Sequence, residues 1–271
     1  MNDLIRIVAN ETKDPCFEYV KDVENFLRGR GLGVDVLPLA DTGGVCLGAR
    51  RARFCVVLGG DGTMLRVAHS AAFCKIPLLG INLGNLGFLT DVDRANGIGA
   101  IEKVLDGNFV TEKRLMLEAE FGAEKIVPLR ERIALNEVYL GVSGKLTEFT
   151  IYINEQRMTR IRADGILVAT PTGSTAYNLA AGGPILMPGG QMMVITPVCP
   201  HGLSARPWVT DATDTVRVVA KQSTQVIVDG DTRGAIPAGE SVLIKKSGYH
   251  ATIIRTTTVN FYKTLEKKKL V

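Results

Sequence analysis

The apolar run Phe54-Cys55-Val56-Val57-Leu58 constrains the fold most, because five consecutive apolar residues suit a strand that is buried on both faces of a parallel sheet. It belongs to a series in which strand-like and helix-like segments alternate over the first hundred residues. The runs LIRIVAN, GVDVLPL and IPLLGINLG read as further strands, and PCFEYVKDVENFLRGRG and the segment from about Thr63 to Phe73 read as helices. This alternation predicts right-handed βαβ units in a layered, Rossmann-like α/β domain.

The rest of the chain shows a different pattern. After the helical segment GIGAIEKVLDG come short, often alternating runs such as KLTEFTIYIN, GILVAT, MMVITPV, TVRVVA and TQVIVDGD, with little room for helices between most of them. We therefore predict a β-rich antiparallel second domain. The expected domains are residues 1–105 and 106–257, and residues 258–271 are expected to form a helix that returns to the first domain.

Composition restricts the class of protein. The chain has 271 residues, 46% of them hydrophobic, and a net charge of +4, with a single basic run at Lys267-Lys268-Lys269 that we interpret as a solvated tail and not as a nucleic-acid site. No apolar stretch approaches the ~18 residues that span a bilayer. The five cysteines form no CxxC pair, which fits a reducing compartment. We expect a soluble, cytoplasmic protein that binds neither nucleic acid nor membranes.

A glycine-rich turn, Gly59-Gly60-Asp61-Gly62-Thr63, follows the buried strand. A turn of this kind lies at the carboxyl edge of a parallel sheet, where α/β domains bind ligands. Its glycines permit positive φ angles and let backbone N–H groups approach an anion, and the following helix N-terminus favours phosphate. The Asp61 carboxylate would repel phosphate unless a cation intervenes or the group has a chemical task. The alternative is that Asp61 and Thr63 only cap the helix.

Two further stretches are rich in glycine and polar residues. LGINLGNLGFLTDV, residues 79–92, places glycines around Asn82 and Asn85, and its alternative interpretation is a tight turn with left-handed asparagines. RIRADGILVATPTGSTAYNLAAGGPIL, residues 160–186, presents hydroxyl and N–H groups that suit a polar ligand. A capped helix start would explain Ser174 and Thr175 there, but it gives no role to Asp164 or Tyr177.

These motifs resemble those of the NAD kinase family. GGDGT at 59–63, NLGFLTD at 85–91, LNE at 135–137, DGILVATPTGSTAYNLAAGGPIL at 164–186 and TPVCPHGLSARP at 196–207 occur in the family's order and span most of the chain. GGDGT alone also resembles turns of 6-phosphofructokinases and of diacylglycerol and sphingosine-type lipid kinases. The long TPTGSTAY segment is the discriminating feature.

The resemblance implies ATP-dependent phosphorylation of the 2′-hydroxyl of the adenosine ribose of NAD, with Asp61 as the catalytic proton acceptor. It implies that Asn136 and Glu137 hold the adenosine half, that Asp164 lies near the nicotinamide end, and that the segment around Tyr177 wraps the adenine side. The role of Asp231 is open, and His201 is interpreted as structural. The residues that the resemblance assigns to ligand binding are Gly60, Asp61, Gly62, Arg66, Asn136, Glu137, Lys145, Arg162, Asp164, Ala169, Thr175, Ala176, Tyr177, Asn178, Ala180 and Asp231.

The resemblance further implies Mg²⁺ (or another divalent cation) as cofactor, ATP and NAD as small-molecule substrates, and a homo-oligomer, either a dimer or a tetramer. No set of metal-ligating side chains is predicted. Two alternatives stay open: a lipid or sugar kinase that shares the glycine turn, and a non-catalytic dinucleotide-binding sensor. The sequence does not decide whether polyphosphate replaces ATP or whether NADH is accepted.

Overall fold

The computed structural model describes residues 3–10, 15–46, 51–84, 87–122, 127–141, 146–202, 205–257 and 261–270. It divides into two compact units. Unit 1 comprises Met1–Lys113 and Ala251–Val271, and unit 2 comprises Arg114–His250. The chain therefore enters unit 2 once and returns to unit 1 for its last segment.

Unit 1 begins as a layered α/β domain. Its strands are β1 (Leu4–Ala9), β2 (Gly33–Pro38), β3 (Phe54–Leu58), β4 (Leu78–Asn82) and β5 (Val92–Asp93), and its helices are α1 (Pro15–Gly29), α2 (Asp61–Cys74) and α3 (Gly97–Leu105). The strands lie in the parallel order β2-β1-β3-β4-β5. Every residue of β3 and β4 is buried, as expected of central strands covered on both faces. The predicted α/β fold of this part of the chain is confirmed.

The core of unit 1 forms between this sheet and its helices. Ile7, Val56 and Ile81 from three strands are fully buried together with Val23 of α1 and Ile101 of α3. Apolar residues that recur every three or four positions place one face of each helix against the sheet. The β3–α2 turn therefore lies at the carboxyl end of a central strand.

The cysteines differ from the sequence-based interpretation, which found no pair. Cys46 and Cys74 form a disulfide with a Cα–Cα distance of 5.7 Å. The bond joins the chain just after the short 3₁₀ segment Leu39–Val45 to the C-terminal end of α2. The two cysteines are 28 residues apart in sequence. Because only the packing of α2 brings them together, no local spacing motif indicates the pair.

Unit 2 is built of antiparallel strands. They are β6 (Val110–Glu120), β7 (Ile133–Ala134), β8 (Glu137–Gly141), β9 (Thr147–Ile153), β10 (Gln156–Ala163), β11 (Gly165–Ala169), β12 (Met192–Val198), β13 (Trp208–Asp211), β14 (Val216–Ala220), β15 (Thr224–Val228), β16 (Asp231–Ile236) and β17 (Ser241–Arg255), with a short helix α4 (Tyr177–Ala180) after β11. One sheet has the order β13-β12-β11-β8-β15-β16. In the other, β10, β9, β14 and the first residues of β17 are adjacent. The predicted β-rich antiparallel architecture is confirmed.

Strand β17 begins in unit 2, and its last five residues lie in unit 1, where Ile253 pairs with Leu78 of β4. The described part of the C-terminal segment contains α5 (Phe261–Lys267), and Phe261 packs its ring against Phe88 with centroids 5.6 Å apart. Within the described residues, no helix is both long and apolar enough to cross a membrane.

Three strands of unit 2 are absent from the sequence-based prediction. β10 and β16 carry several exposed polar residues, and β13 is a four-residue edge strand. Such strands are stabilised by their neighbours in the sheet, and their own sequences lack a clear apolar alternation. Their hydrogen-bonded partners, β9, β15 and β12, are among the strands that the sequence does predict.

Candidate active site

Asp61 is the first residue of α2, and it does not cap that helix. Gly60 occupies the N-cap position in an extended conformation, with φ −102° and ψ −168°, and among the described residues no side chain caps the helix. The interpretation of Asp61 and Thr63 as helix caps is therefore wrong. The N–H groups at the start of α2 keep their capacity to bind an anion.

The Asp61 carboxylate is held by the loop that precedes β5. Its Oδ2 accepts the N–H of Phe88 at 2.7 Å, and its Oδ1 accepts the N–H of Leu89 at 3.0 Å and both the N–H and the hydroxyl of Thr90 at 3.2 Å. Among the described residues, Oδ1 has three donors and Oδ2 has one, which leaves a lone pair of Oδ2 for a further donor. These bonds fix the carboxylate in one orientation.

Some glycines around Asp61 allow neighbouring atoms to pack closely, and others leave space beside the turn. Gly59, Gly60 and Gly62 do not adopt the positive φ angles that we expected of them. A Cβ on Gly59 would lie 2.3 Å from the Thr63 hydroxyl, and a Cβ on Gly87 would lie 1.8 Å from Asp61 Oδ1. Apart from its chain neighbours and its own helix backbone, no described residue lies within 4 Å of a Cβ built on Gly60 or Gly62. The turn is therefore packed on one side and open on the other.

A second layer of contacts fixes the loop that holds Asp61. The buried Asn82 donates to the Thr90 hydroxyl at 2.7 Å and accepts the N–H of Gly84, also at 2.7 Å. Asn82 is not among the residues with positive φ, so the alternative of a left-handed asparagine fails there, and Asn85 lies outside the described residues. This stretch is a support for Asp61 within unit 1.

Arg255 anchors the same loop. Its guanidinium donates to the carbonyl oxygens of Phe88 and Leu89, each at 3.2 Å, to Asp91 at 2.7 Å and to Glu112 at 3.1 Å. The side chain is 2% exposed, so its charge depends on these partners. Arg255 thus joins the C-terminal end of β17 to the loop whose amides hold Asp61.

In unit 2, the segment Leu135-Asn136-Glu137 leads into β8. Thr170 binds its carbonyl groups, because the Thr170 N–H donates to Asn136 O at 2.8 Å and its hydroxyl donates to Leu135 O at 2.5 Å. The carboxylate of Asp229 accepts its three consecutive amides at 2.7–2.9 Å. The backbone of this segment is therefore held from both sides.

Glu137 is a buried acid with a free oxygen. Its side chain is 7% exposed, and its Oε2 has no hydrogen-bond partner within the described part of the chain. Burial, and secondly the charge of Asp229, raise the pKa of Glu137 from 4.5 to about 8. A buried acid without an internal partner is a candidate for binding a ligand hydroxyl or amine.

Glu137 lines a cavity of about 270 Å³ together with Tyr139, Tyr177, Ile227 and Gly230. The two tyrosine rings meet edge to face with centroids 5.5 Å apart. Tyr139 covers two glycines of its own sheet, since a Cβ on Gly141 or Gly165 would lie 2.1–2.2 Å from its ring or hydroxyl. An aromatic wall beside a polar group is the usual composition of a small-molecule site.

The TPTGSTAY segment is held mainly by its own polar side chains. Ser174 donates to Pro171 O at 2.7 Å and accepts the N–H of Leu186 at 3.0 Å. Asn178 is fully buried, accepts the Thr196 hydroxyl at 2.6 Å and donates to two carbonyl oxygens at 3.0–3.1 Å. These bonds present Tyr177, 42% exposed, at the surface of the segment.

The other predicted site residues differ in exposure. Arg66, Arg162, Ala180 and Asp231 are exposed, and Asp231 pairs with Arg233 at 2.7 Å. Partly exposed positions are Gly60, Asn136, Asp164, Thr175 and Ala176, whereas Ala169 is buried in β11. His201 is exposed, and Lys145 lies outside the described residues. The binding roles of all these residues stay predictions.

Thr90, Arg255, Asp229 and Tyr139 are among the residues of these two sites that were not predicted. Asp229 was detectable, because the dipeptide Asp229-Gly230 between two β-rich runs is a hairpin signal. The other three act through partners that are distant in sequence or on neighbouring strands, and no local pattern marks them.

Comparison with known proteins bears on both units. The family model of the ATP-NAD kinase N-terminal domain matches residues 42–109, and that of the ATP-NAD kinase C-terminal domain matches residues 135–256. The NAD kinase of Enterobacter sp. (strain 638) is 41% identical over 224 residues, which cover 81% of this chain and 76% of that protein. The chain belongs to the ATP-NAD kinase family. It is accordingly a phosphotransferase.

Other members of the family agree. The NAD kinase of Salmonella choleraesuis (strain SC-B67) is 40% identical over 84% of this chain and 79% of its own length. Two solved structures share the fold: an NAD kinase from Archaeoglobus fulgidus in complex with ATP (24% identity, TM-score 0.80, 99% of each chain) and yeast NADH kinase complexed with NADH (23%, TM-score 0.81, 98% of this chain and 86% of that one). Asp61 and the Asn136-Glu137 pair lie within the segments matched to the family.

Proposed function

We propose that this protein transfers the γ-phosphoryl group of ATP to the 2′-hydroxyl of the adenosine ribose of NAD, giving NADP and ADP. The observation that carries the proposal is the state of Asp61, whose carboxylate is fixed by three amides while Oδ2 keeps a free lone pair. Beside it lie an uncapped helix N-terminus and two glycines with open space around them. This combination suits an acceptor hydroxyl next to a phosphate chain.

In the proposed reaction, Asp61 Oδ2 accepts a hydrogen bond from the ribose 2′-hydroxyl and orients its oxygen toward the γ-phosphorus. The new O–P bond forms as the bond to the ADP oxygen breaks, and the hydroxyl proton passes to Oδ2. A carboxylate is a weak base for a sugar hydroxyl, so its main contribution is orientation, with the proton transferred late. The free amides at the start of α2 stabilise phosphate oxygens.

Mg²⁺ fits as an ion that arrives with the nucleotide. Within the described residues, no group of three or more His, Cys, Asp or Glu side chains is arranged to hold a metal ion. Mg²⁺ commonly keeps several waters and binds substrate phosphates, so ATP and water would supply most of its ligands, and the remaining lone pair of Asp61 Oδ2 would stay available to the hydroxyl. When bound, the ion neutralises phosphate charge beside Asp61.

For the dinucleotide, we propose Glu137 and Tyr177 as the central contacts in unit 2. They line one cavity, in which Glu137 offers a free oxygen and Tyr177 an exposed ring. The two solved relatives are complexes, one with ATP and one with NADH, which supports a nucleotide donor and a dinucleotide acceptor. The remaining predicted binding residues are assigned to the same ligands.

Replacing Tyr177 by Ala tests the cavity assignment. We expect the KM for NAD to rise by on the order of tenfold, because one stacking face is lost, while the KM for ATP changes much less. Steady-state kinetics with each substrate varied in turn measures both constants. Equal increases in the two KM values would contradict the assignment of Tyr177 to the dinucleotide.

The reaction itself is tested by mixing the purified protein with ATP, Mg²⁺ and NAD and measuring NADP with an NADP-specific dehydrogenase. Parallel assays with polyphosphate and with NADH define the donor and acceptor range. Phosphorylation of a lipid or sugar without NADP formation would favour the alternative kinases. Binding of NAD without any turnover would favour a sensor.

Two further properties are part of the proposal. The edge strand β13 exposes Trp208 and Val209, at 52% and 44%, which supports a homo-oligomer formed through β-rich units and is tested by light scattering.

We also propose a cytoplasmic location. The Cys46–Cys74 disulfide would be unusual there, because such bonds are rare in reducing compartments. Thiol titration of protein purified without exposure to air decides whether that bond exists in the cell.

A further inference from the structure

The hairpin turn Asp229-Gly230 joins β15 to β16 and lies against the segment before β8. We propose that Asp229 is a positioning residue that holds Asn136 and Glu137 in place for the dinucleotide, an inference that rests on the proposed function. Asp229 Oδ2 accepts the N–H of Leu135 at 2.7 Å, and Oδ1 accepts those of Asn136 at 2.8 Å and Glu137 at 2.9 Å. In return, the N–H of Asp229 donates to Glu137 O at 3.0 Å.

The conformation of the turn explains why an aspartate can occupy this place. Val228 pairs with Asp231, so the loop has two residues, and Asp229 and Gly230 have φ values of +48° and +86°. These values match a two-residue type I′ turn, which accepts Asp or Asn followed by Gly. The hairpin thus fixes the backbone of Asp229, and its short side chain can reach the amides of the neighbouring segment.

These hydrogen bonds do more than continue a sheet. The amides of Leu135 and Asn136 lie between β7 and β8, where the regular strand pairing is interrupted, and Asp229 supplies the acceptors in its place. Thr170 binds the carbonyl groups of the same two residues. With the backbone fixed on both sides, the directions of the Asn136 and Glu137 side chains are set before any ligand arrives, which lowers the cost of ordering on binding.

The carboxyl group of Glu137 indicates that this arrangement serves to bind a ligand. Glu137 Oε2 is buried without a hydrogen-bond partner within the described residues, and Glu137 and Gly230 line the same cavity. The Asp229 carboxylate also contributes to the raised pKa of Glu137. If the segment served only the fold, a buried unpartnered carboxyl group would be a net cost to stability.

The test compares Asp229→Ala and Asp229→Asn with the control Asp211→Asn. Asp211 is exposed and accepts the amide and hydroxyl of Thr213 within its own turn, so the control makes the same chemical change elsewhere in unit 2. For Asp229→Ala, we expect the KM for NAD to rise on the order of tenfold, with less than about a twofold change in kcat and in the KM for ATP. Asp229→Asn, which keeps one carbonyl acceptor, is expected to recover part of this loss. The control is expected to match the wild type.

Calorimetric titration with NAD gives a readout that does not depend on turnover, and thermal melting confirms that each variant is folded. An unchanged NAD affinity in folded Asp229→Ala would overturn the proposal, as would equal increases in the KM values for NAD and ATP. If Asp229→Ala does not fold, Asp229→Asn decides on the same criteria. A wild-type protein that binds NAD but makes no NADP would refute the proposed reaction, and the calorimetric comparison would still decide the role of Asp229.

Discussion

Asp61 in unit 1 and Asp229 in unit 2 each accept three consecutive backbone amides, yet the bonds serve opposite purposes. The loop of Phe88, Leu89 and Thr90 positions Asp61, whose remaining lone pair would meet the acceptor hydroxyl in the proposed function. Asp229 instead holds a backbone segment, and the groups proposed to meet the ligand are the side chains of Asn136 and Glu137. The same hydrogen-bond pattern therefore does not identify a catalytic acid by itself.

The surroundings of the two aspartates explain the difference. The loop that holds Asp61 is anchored by the buried guanidinium of Arg255, and Gly87 lets the carboxylate pack directly against the backbone. Asp229 is instead fixed by its own hairpin turn. A rigid loop can orient a side chain, and a rigid turn can orient a neighbouring backbone. Which group is left without a partner decides which one meets the substrate.

The largest expected effect is that of Asp61→Asn. If Asp61 orients the hydroxyl and accepts its proton, kcat should fall roughly 10²–10⁴-fold while NAD affinity is retained. Steady-state kinetics together with calorimetric NAD binding checks both parts. A normal kcat would show that Asp61 has no part in the mechanism. Asp61 and Asp229 would then both be structural.

Arg255→Ala tests the anchor of the Asp61 loop. It leaves the acidic groups of Asp91 and Glu112 without their buried partner, so the free energy of unfolding should fall by roughly 3–5 kcal/mol. Urea denaturation measures the loss. Arg217→Ala is the comparison, since its partner Glu155 is exposed to solvent and this ion pair should contribute much less to stability. Similar losses in both variants would contradict the anchoring role.

Gly87→Ala tests whether the position of the Asp61 carboxylate matters, because it displaces Asp61 without changing its chemistry. The added Cβ would lie 1.8 Å from Asp61 Oδ1, so the loop or the carboxylate must shift, at a cost of about 1–3 kcal/mol and with a lower kcat. Gly84→Ala is the control in the same loop region, because among the described residues its Cβ would meet only Asn82 Oδ1, at 3.8 Å. Kinetics and thermal melting compare the two variants. An unchanged kcat in Gly87→Ala would show that the position of Asp61 is not critical.

Glu137→Gln concerns the acid beside Asp229, and its effect is expected in the pH dependence of the free energy of unfolding. Between pH 4.5 and about 8, folded Glu137 holds a proton that the unfolded chain has released, so this contribution to stability falls as pH rises. Relative to the Gln variant, the wild type should lose up to roughly 1.4 kcal/mol per pH unit in this window. Urea denaturation at several pH values measures the difference. Parallel pH profiles for the two proteins would mean that Glu137 titrates normally.

Much of the fold follows from the sequence because its signals are local. Phe54–Leu58 is apolar throughout and became a central buried strand, and the short runs after residue 110 became an antiparallel β-rich unit. β13 and β16 escaped prediction because neighbouring strands, and not their own residues, stabilise them. The same limit applies to Cys46 and Cys74, which are joined only by the packing of α2.

By itself, the sequence determined the two architectures, the motif order that marks the ATP-NAD kinase family, and the candidate residues Asp61, Asn136 and Glu137. Only the tertiary structure showed that Asp61 is held by amides 27–29 positions away and that Asp229 holds amides 92–94 positions away. Backbone N–H groups are present at almost every residue, so a sequence carries no mark of which ones converge on a carboxylate. That convergence depends on the course of the folded backbone. It separates an aspartate that the backbone orients from an aspartate that orients the backbone.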